Sequence, residues 1–451
     1  MVSLSNFVCD FFKISNIPTI NCIAVNSKIV QLNDIFFALQ GTTHDGHDFV
    51  KEAYENGAIF CVVERKISDI PESAQIVVPS VQQTINDFAK QFYAQYSFAI
   101  IGITGSVGKT STKFLLHEIL SKYEKCVASD KSYNTIIGLL LTINNINLNV
   151  KRIILELGIS RMHDMNLLSE VASSYGSIIT AIEPAHLEGL ESVEMILQEK
   201  TKILNHTKKW CVLPYQEKFI DYMREKAGSL QILTFGEHEK ADLQLMNFDY
   251  TQYSAQIRIF NKIHSIQLKH NSKTLLLNAM SALAAAIHMK LPIDDILKSI
   301  CEILPMKARG NTYDVKINGK MCTLIDDSYN ANPASMTEAL IRLSHSKLHK
   351  VVILGEMCEL GVDTKKYHHD IINLCFKFDM CLFIGKIWRI IAESYKINLN
   401  NLYFCEDVQV AYTLLQYLVD KNSCILVKGS AATQVSKIIK WLRFEKKLEV
   451  V

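Results

Sequence analysis

Short apolar runs, broken by polar turns and by stretches with helical spacing, set the pattern of this chain. IFFAL (35–39) and AIFCVVE (58–64) are the clearest early runs, among short strands and turns. FAIIGIT (98–104) reads as a buried strand, followed by a Gly turn and a helix carrying Phe114, Leu115 and Ile119. Further strands are predicted at RIILEL (152–157), SIITAI (177–182) and WCVLP (210–214). From about residue 311, CTLID (322–326), KVVILG (350–355), MCLFIG (380–385), NLYFC (401–405) and CILVKG (424–429) alternate with helical stretches. That alternation predicts a parallel sheet wrapped by helices. The expected class is α/β in three parts, residues 1–85, 86–310 and 311–451.

Composition narrows the picture. A chain of 451 residues is too long for one ordinary core, so more than one domain is expected. Hydrophobic residues at 49% and charged residues at 21% fit a soluble globular protein. A net charge of +2 gives no strong pull toward nucleic acid or anionic membrane. No apolar run is long enough to span a bilayer, so membrane insertion is not expected. MVSLSNFVCDFFKIS lacks a basic n-region and carries Asp10 in its apolar patch, so it does not read as a secretory signal. The 12 cysteines include no CxxC pair, which points to reduced thiols in a cytosol rather than a disulfide framework or zinc site. Cys375 and Cys381 read as packing residues around an apolar strand. SKIIKWLRFEKKLE (436–449) is a basic amphipathic stretch, expected to pack Ile438, Ile439 and Leu442 on the last domain rather than to touch a membrane.

The chemistry starts at ITGSVGKTST (103–112). Gly105 and Gly108 let the backbone approach an anion, and successive N–H groups with the positive helix end favour phosphate. Lys109 can reach terminal phosphates, and the Thr110 hydroxyl can ligate Mg²⁺. The strict G-x-x-x-x-G-K-[ST] pattern is missed because position 103 is Ile. Glu156 ends a strand in LELG, where a carboxylate can face a metal. His186 in AIEPAHLEG and Lys200 in LQEKTKIL would each, alone, read as an ordinary polar loop residue and a surface charge.

Together these segments resemble the Mur ligase family over nearly the whole chain. The family's phosphate loop, T-G-x-x-G-K-[ST], is met in full by TGSVGKT (104–110), PAHLEG (184–189) matches its metal-histidine segment, and Lys200 stands at its carbamylated lysine. DDSYNANPASM (326–336), GEMCELG (355–361) and VKGS (427–430) point, within the family, to the member that adds a D-alanyl-D-alanine dipeptide. NSK (26–28) and DGHDF (45–49) resemble the segment that binds uridine diphosphate. The resemblance implies a small N-terminal substrate-binding domain, a central P-loop ATPase-type domain and a C-terminal Rossmann-like domain. It implies ATP, a pair of Mg²⁺ ions, and as substrates UDP-N-acetylmuramoyl-tripeptide and D-alanyl-D-alanine, joined through an acyl phosphate. A monomer in the cytoplasm is expected.

By the same resemblance, Lys109 holds the β/γ-phosphates within a loop of Gly105, Ser106, Gly108, Thr110 and Ser111. Thr110 and Glu156 hold one metal and His186 the second, supported by a carbamylated Lys200. Asn278 and Arg309 contact the nucleotide, and Asp327 reaches the ribose. Ser27, Lys28, Asp45, His47, Asn330, Asn332 and Lys428 are the substrate-side candidates, and His368 matches a family histidine without an assigned role. Departures are Lys28 for the family's Arg, Thr135 and Leu140 for Asn and Pro, Ala181 and Glu183 for Asn and Gly, and Ala431 for Arg. They spare Lys109, Thr110, Glu156, His186 and Lys200, so a divergent but working enzyme is expected. The alternatives are another Mur ligase or a folylpolyglutamate synthase, a P-loop NTPase module without ligase activity, and a degenerate relative that only binds nucleotide.

Overall fold

Three sheets organise the described residues. The first holds β1 (Ile23–Ala24), β2 (Asp34–Phe37), β3 (Ala58–Val63) and β4 (Gln75–Val77), parallel and in sequential order. The second has nine strands: β5 (Ala99–Thr104), β6 (Cys126–Ala128), β7 (Arg152–Glu156), β8 (Ser174–Ile179), β9 (Thr207–Pro214), β10 (Gln231–Gly236), β11 (Leu243–Asp249), β12 (Ser254–Ile259) and β13 (Lys262–Gln267). Their order is β13-β12-β11-β10-β9-β8-β5-β7-β6. The third runs β14-β15-β19-β16-β17-β18, from β14 (Asn311–Ile317), β15 (Lys320–Asp327), β16 (His349–Gly355), β17 (Met380–Ile384), β18 (Leu402–Cys405) and β19 (Ser423–Lys428). The computed structural model describes residues 4–15, 17–41, 43–96, 98–146, 149–395 and 401–444.

The expected α/β class and three-part architecture hold. Two details depart from the sequence expectations. The parallel pattern is broken where β11, β12 and β13 form an antiparallel meander and where β14 pairs antiparallel with β15. The helix after the phosphate loop, Lys109–Leu120, buries Leu115 and Ile119 but leaves Phe114 38% exposed, because Phe114 falls on its outer side.

Residue 85 lies inside the helix Val81–Gln95. That helix buries Val81, Ile85, Phe88 and Phe92, and Phe7 meets Phe88 and Phe92 edge-on at 4.8 and 5.1 Å. The same apolar cluster includes Leu139 and Ile153 of the central unit, so the first two units share a core. Asn144 adds a polar clamp, accepting from Ile23 N at 2.7 Å and donating to Ile23 O at 2.8 Å.

β5 lies between β8 and β7, with Ile103 opposite Glu156 and Thr104 opposite Ile179. The loops leaving these three strands therefore emerge side by side, where ligands bind in such sheets. In the third sheet, β15 and β19 pair Asp327 with Lys428. The terminal helix Ser436–Phe444 buries Ile438, Ile439 and Leu442 as expected; the rest of that amphipathic stretch lies outside the described residues. Cys375 and Cys381 are buried packing residues, and all 12 cysteines are free. Among the described residues no helix is long and apolar enough to cross a membrane.

Candidate active site

The helix Lys109–Leu120 starts directly after the glycine turn, so its first N–H groups have no helical partners. Gly105 (φ 147°) and Gly108 (φ 87°) bring the turn this close to its surroundings. A Cβ at Gly105 would sit 1.9 Å from Thr180 Oγ1, and one at Gly108 2.2 Å from Asn278 Oδ1. Ser106 ties the turn to the neighbouring loop: its N–H donates to Ala181 O at 2.8 Å, its hydroxyl to Glu183 O at 2.7 Å, and it accepts from Glu183 N at 3.0 Å. Lys109 folds back over the turn, Nζ donating to Gly105 O at 2.7 Å. Burial lowers its pKa, Arg309 adds to this and Glu156 opposes it. Thr110 and Ser111 are buried beside it.

A cavity of about 450 Å³ opens over this turn. The central unit lines it with residues 106–111, Glu156, His186 and Asn278. Arg309, at the end of the central part, and Asp327, Asn330, Asn332 and Lys428 of the C-terminal unit complete it. Glu156 is 1% exposed; Oε1 accepts from Asn134 Nδ2 at 3.2 Å, and Oε2 has no hydrogen-bond partner. Lys113 Nζ lies 3.5 Å from that oxygen. The sequence reading passed over Lys113, although its place one turn after Lys109 in KTSTK is a usable signal. Burial lowers its pKa while Glu156 raises it.

His186 has left-handed backbone (φ 54°). Its Nδ1 meets Glu359 Oε2 of the C-terminal unit, and Leu187 N donates to Glu359 O at 2.8 Å. Burial lowers the His186 pKa, against the pull of Glu359. Lys200 does not line the cavity; it is 1% exposed, and among the described residues Nζ has no hydrogen-bond partner. Burial first and the Lys109 charge second push its pKa well below that of a free lysine.

On the C-terminal side, Lys428 Nζ donates to Asp327 Oδ2 at 2.9 Å and to Asn330 O at 3.0 Å. The Arg309 guanidinium stacks 4.0 Å from the Tyr329 ring centroid, and the Tyr329 hydroxyl bonds Ser132 of the central unit. Asn332 lines the cavity, but its side chain also caps the helix Pro333–Ser344, accepting from Ser335 N at 2.9 Å. His368 is fully buried; Nε2 accepts from Met357 N at 3.0 Å and Nδ1 donates to Thr364 O at 2.7 Å, which fixes GEMCELG in place.

None of the N-terminal candidates lines the cavity. Ser27 donates to Glu52, and Lys28 is exposed beside it. Asp45 accepts from His47 N at 3.0 Å, His47 Nδ1 at 2.6 Å and Arg65 at 3.1 Å, which holds its carboxyl down to about 2. His47 Nε2 accepts from Glu64 N at 2.9 Å, so both ring nitrogens are used.

Thr110, Glu156 and His186 share the cavity, but among the described residues no cluster of three His, Cys, Asp or Glu side chains forms a ready metal cage. The Glu156 oxygen, which faces Lys113 but accepts no hydrogen bond among the described residues, and the Thr110 hydroxyl still fit a hard divalent cation that takes its remaining ligands from phosphate and water. The arrangement suits an anionic nucleotide held between two units.

Residues 19–94 match the Mur ligase family catalytic domain, 103–286 the Mur ligase middle domain, and 314–431 the Mur ligase glutamate ligase domain. The chain belongs to the Mur ligase family. This Mur ligase is 29% identical to UDP-N-acetylmuramoyl-tripeptide–D-alanyl-D-alanine ligase of Bacillus subtilis, covering 93% of each chain. It is 27% identical to the ligase of that name from Rickettsia prowazekii, over 95% of this chain and 96% of the other. Its fold matches a crystal structure of MurF from Acinetobacter baumannii with a TM-score of 0.87 and 25% identity, over 98% of this chain and 99% of the other.

Proposed function

We propose that this Mur ligase spends ATP to join D-alanyl-D-alanine to UDP-N-acetylmuramoyl-tripeptide, the last cytoplasmic step in making the peptidoglycan precursor. The observation that carries this reading is the meeting of Lys109 and the DDSYNANP aspartate, Asp327, in one cavity between two units. The names of the relatives support the same substrates.

A carboxylate oxygen of the tripeptide attacks the γ-phosphorus and ADP leaves. The dipeptide amine then attacks the acyl phosphate, loses a proton, and phosphate leaves. Such transfer needs positioning and charge neutralisation more than covalent help. Lys109 and the first-turn N–H groups hold the phosphates; Arg309 and Asn278 hold the nucleotide, and Asp327 the ribose. Mg²⁺ at Thr110 and Glu156, and a second ion at His186, would offset the repulsion of the anions that must meet. A buried, partnerless amine with a lowered pKa is reactive toward carbon dioxide, which supports carbamylation of Lys200. Asn330, Asn332 and Lys428 face the dipeptide and acyl end. Ser27, Lys28, Asp45 and His47 shape the sugar-nucleotide end. A monomer is the expected state.

Phosphate release from ATP, with each substrate omitted in turn and the product weighed, tests the reading. Release that needs both substrates and yields a pentapeptide supports it. Release indifferent to both favours an NTPase.

A further inference from the structure

Two charged groups in the cavity are left unexplained by the chemistry above. Arg342 is 4% exposed, yet Nε and Nη2 have no hydrogen-bond partner; Nη1 lies 3.5 Å from Gly310 O. Glu338, one turn earlier on the helix Pro333–Ser344, has Oε1 closed off from solvent and likewise unpartnered. Both line the cavity that holds Lys109 and Asp327. No ion pair within 4.0 Å joins them among the described residues, and a buried charge without partners is costly.

Residues four apart on a helix share a face, so the cavity meets an acceptor and a forked donor side by side. The central unit adds Thr274 and the apolar Leu275 from the start of the helix Lys273–His288. Behind, Tyr250 of the central unit stacks on His345 at 4.5 Å and 9°. A second phosphate does not suit this corner, because the Glu338 carboxylate would repel it. A flat heterocycle with a donor and an acceptor on one edge suits it well. With phosphates at Lys109 and ribose at Asp327, the group left over is the purine base.

We propose that Glu338 and Arg342 read the base of the nucleotide: Glu338 accepts from the exocyclic amino group of adenine, and Arg342 donates to a ring nitrogen. A 6-oxo purine places a lone pair where the carboxylate needs a donor. A purine with neither group leaves the carboxylate unpaired, and sites built to bond a polar group discriminate against ligands that lack it. This inference rests on ATP being the nucleotide, as proposed above.

The test uses the full chain and equilibrium titration with ATP and with purine riboside triphosphate, which lacks only the amino group. The parent is expected to bind ATP about tenfold or more tightly than the analogue, as for a bond to a charged group. In E338A/R342L the two nucleotides should bind alike, the analogue losing only the Arg342 bond while ATP loses both. The double variant should also need no less urea to unfold, since apolar replacement of a buried charged pair is often neutral or stabilising. A parent that does not discriminate, a folded variant that keeps the parent's ratio, or equal loss of both nucleotides overturns the proposal. Should the double variant not fold, E338M alone decides by the same ratio. Product formation is scored separately. A parent that discriminates but makes no pentapeptide sinks the functional reading and leaves base reading standing. A parent that makes product, with variants that keep the ratio, does the reverse.

Discussion

Lys200 has a fully enclosed ε-amino group with no partner, in a chain where most buried polar atoms are paired. As a carbamate it would carry charge opposite to Lys109 instead of repelling it. Lys200→Ala is therefore expected to lower turnover about 10- to 100-fold, as removing support from a metal ligand does, and to regain part of it with added short carboxylates. Full activity in the unsupplemented variant removes Lys200 from the site. His270, 6% exposed, makes a different prediction: burial first, and Arg342 second, bring its pKa down from 6.5 to about 4. Between those values the unfolded chain binds a proton that the folded chain refuses, so stability falls as pH drops from 6.5 toward 4. From pH 7 to pH 5 this residue should cost about 2 kcal/mol. Urea midpoints at the two pH values should differ by correspondingly less in His270→Asn; an equal drop in both proteins places the acid sensitivity elsewhere.

At the scale of elements, the strand, glycine turn and helix around 98–120 were legible because each has its own local signal: an apolar run, a forced turn and helical spacing. Motif residues were legible too, since Lys109, Glu156, His186, Asn278, Arg309 and Asp327 are brought to one cavity. Glu338, Arg342 and Lys113 were not, because each looks like an ordinary helix charge until distant elements bury Arg342 and Lys113 and close off one Glu338 oxygen. The meander β11–β13 lacked a strong signal because its strands are half exposed and mixed polar. Residue 85 read as a boundary because short strands and turns precede it and the buried run at 98–104 opens a new part, whereas the helix through it packs on both units. Gly108 gives the element-scale prediction. Gly108→Ala must place a methyl 2.2 Å from Asn278 Oδ1 at a φ of 87°. The strained φ alone costs about 1–2 kcal/mol, and the turn must shift to clear Asn278. ATP affinity should fall at least about tenfold while the melting temperature drops only a few degrees. Unchanged affinity would mean the phosphates sit elsewhere.

For the whole molecule, what matters is how the units meet. The N-terminal unit shares a core with the central one, through Phe7, Phe88 and Phe92, so it is anchored by apolar area. The C-terminal unit meets the central one through hydrogen bonds of Glu359 with His186 and Leu187 and of Tyr329 with Ser132, through the Tyr250–His345 ring stack, and through Tyr367 against the shared core. Hydrogen bonds of this kind contribute about 1 kcal/mol each, so this seam is expected to open more readily than the apolar core that joins the first two units. A nucleotide held by Lys109 and Arg309 on one side and by Asp327 on the other adds bonds across the same seam, and so favours the closed arrangement. Small-angle scattering should show a smaller radius of gyration with a non-hydrolysable ATP analogue plus the tripeptide substrate than without them. Glu359→Ala removes a side-chain contact from the seam but no candidate phosphate or ribose contact, so it should need more ligand to reach the same compact state. It should also raise KM more than it lowers kcat. A radius unaffected by ligand in the parent would mean the seam is closed from the start, and Glu359→Ala would then alter scattering before any ligand is added. If neither protein changes, the units form one rigid body and the cavity fills without closure.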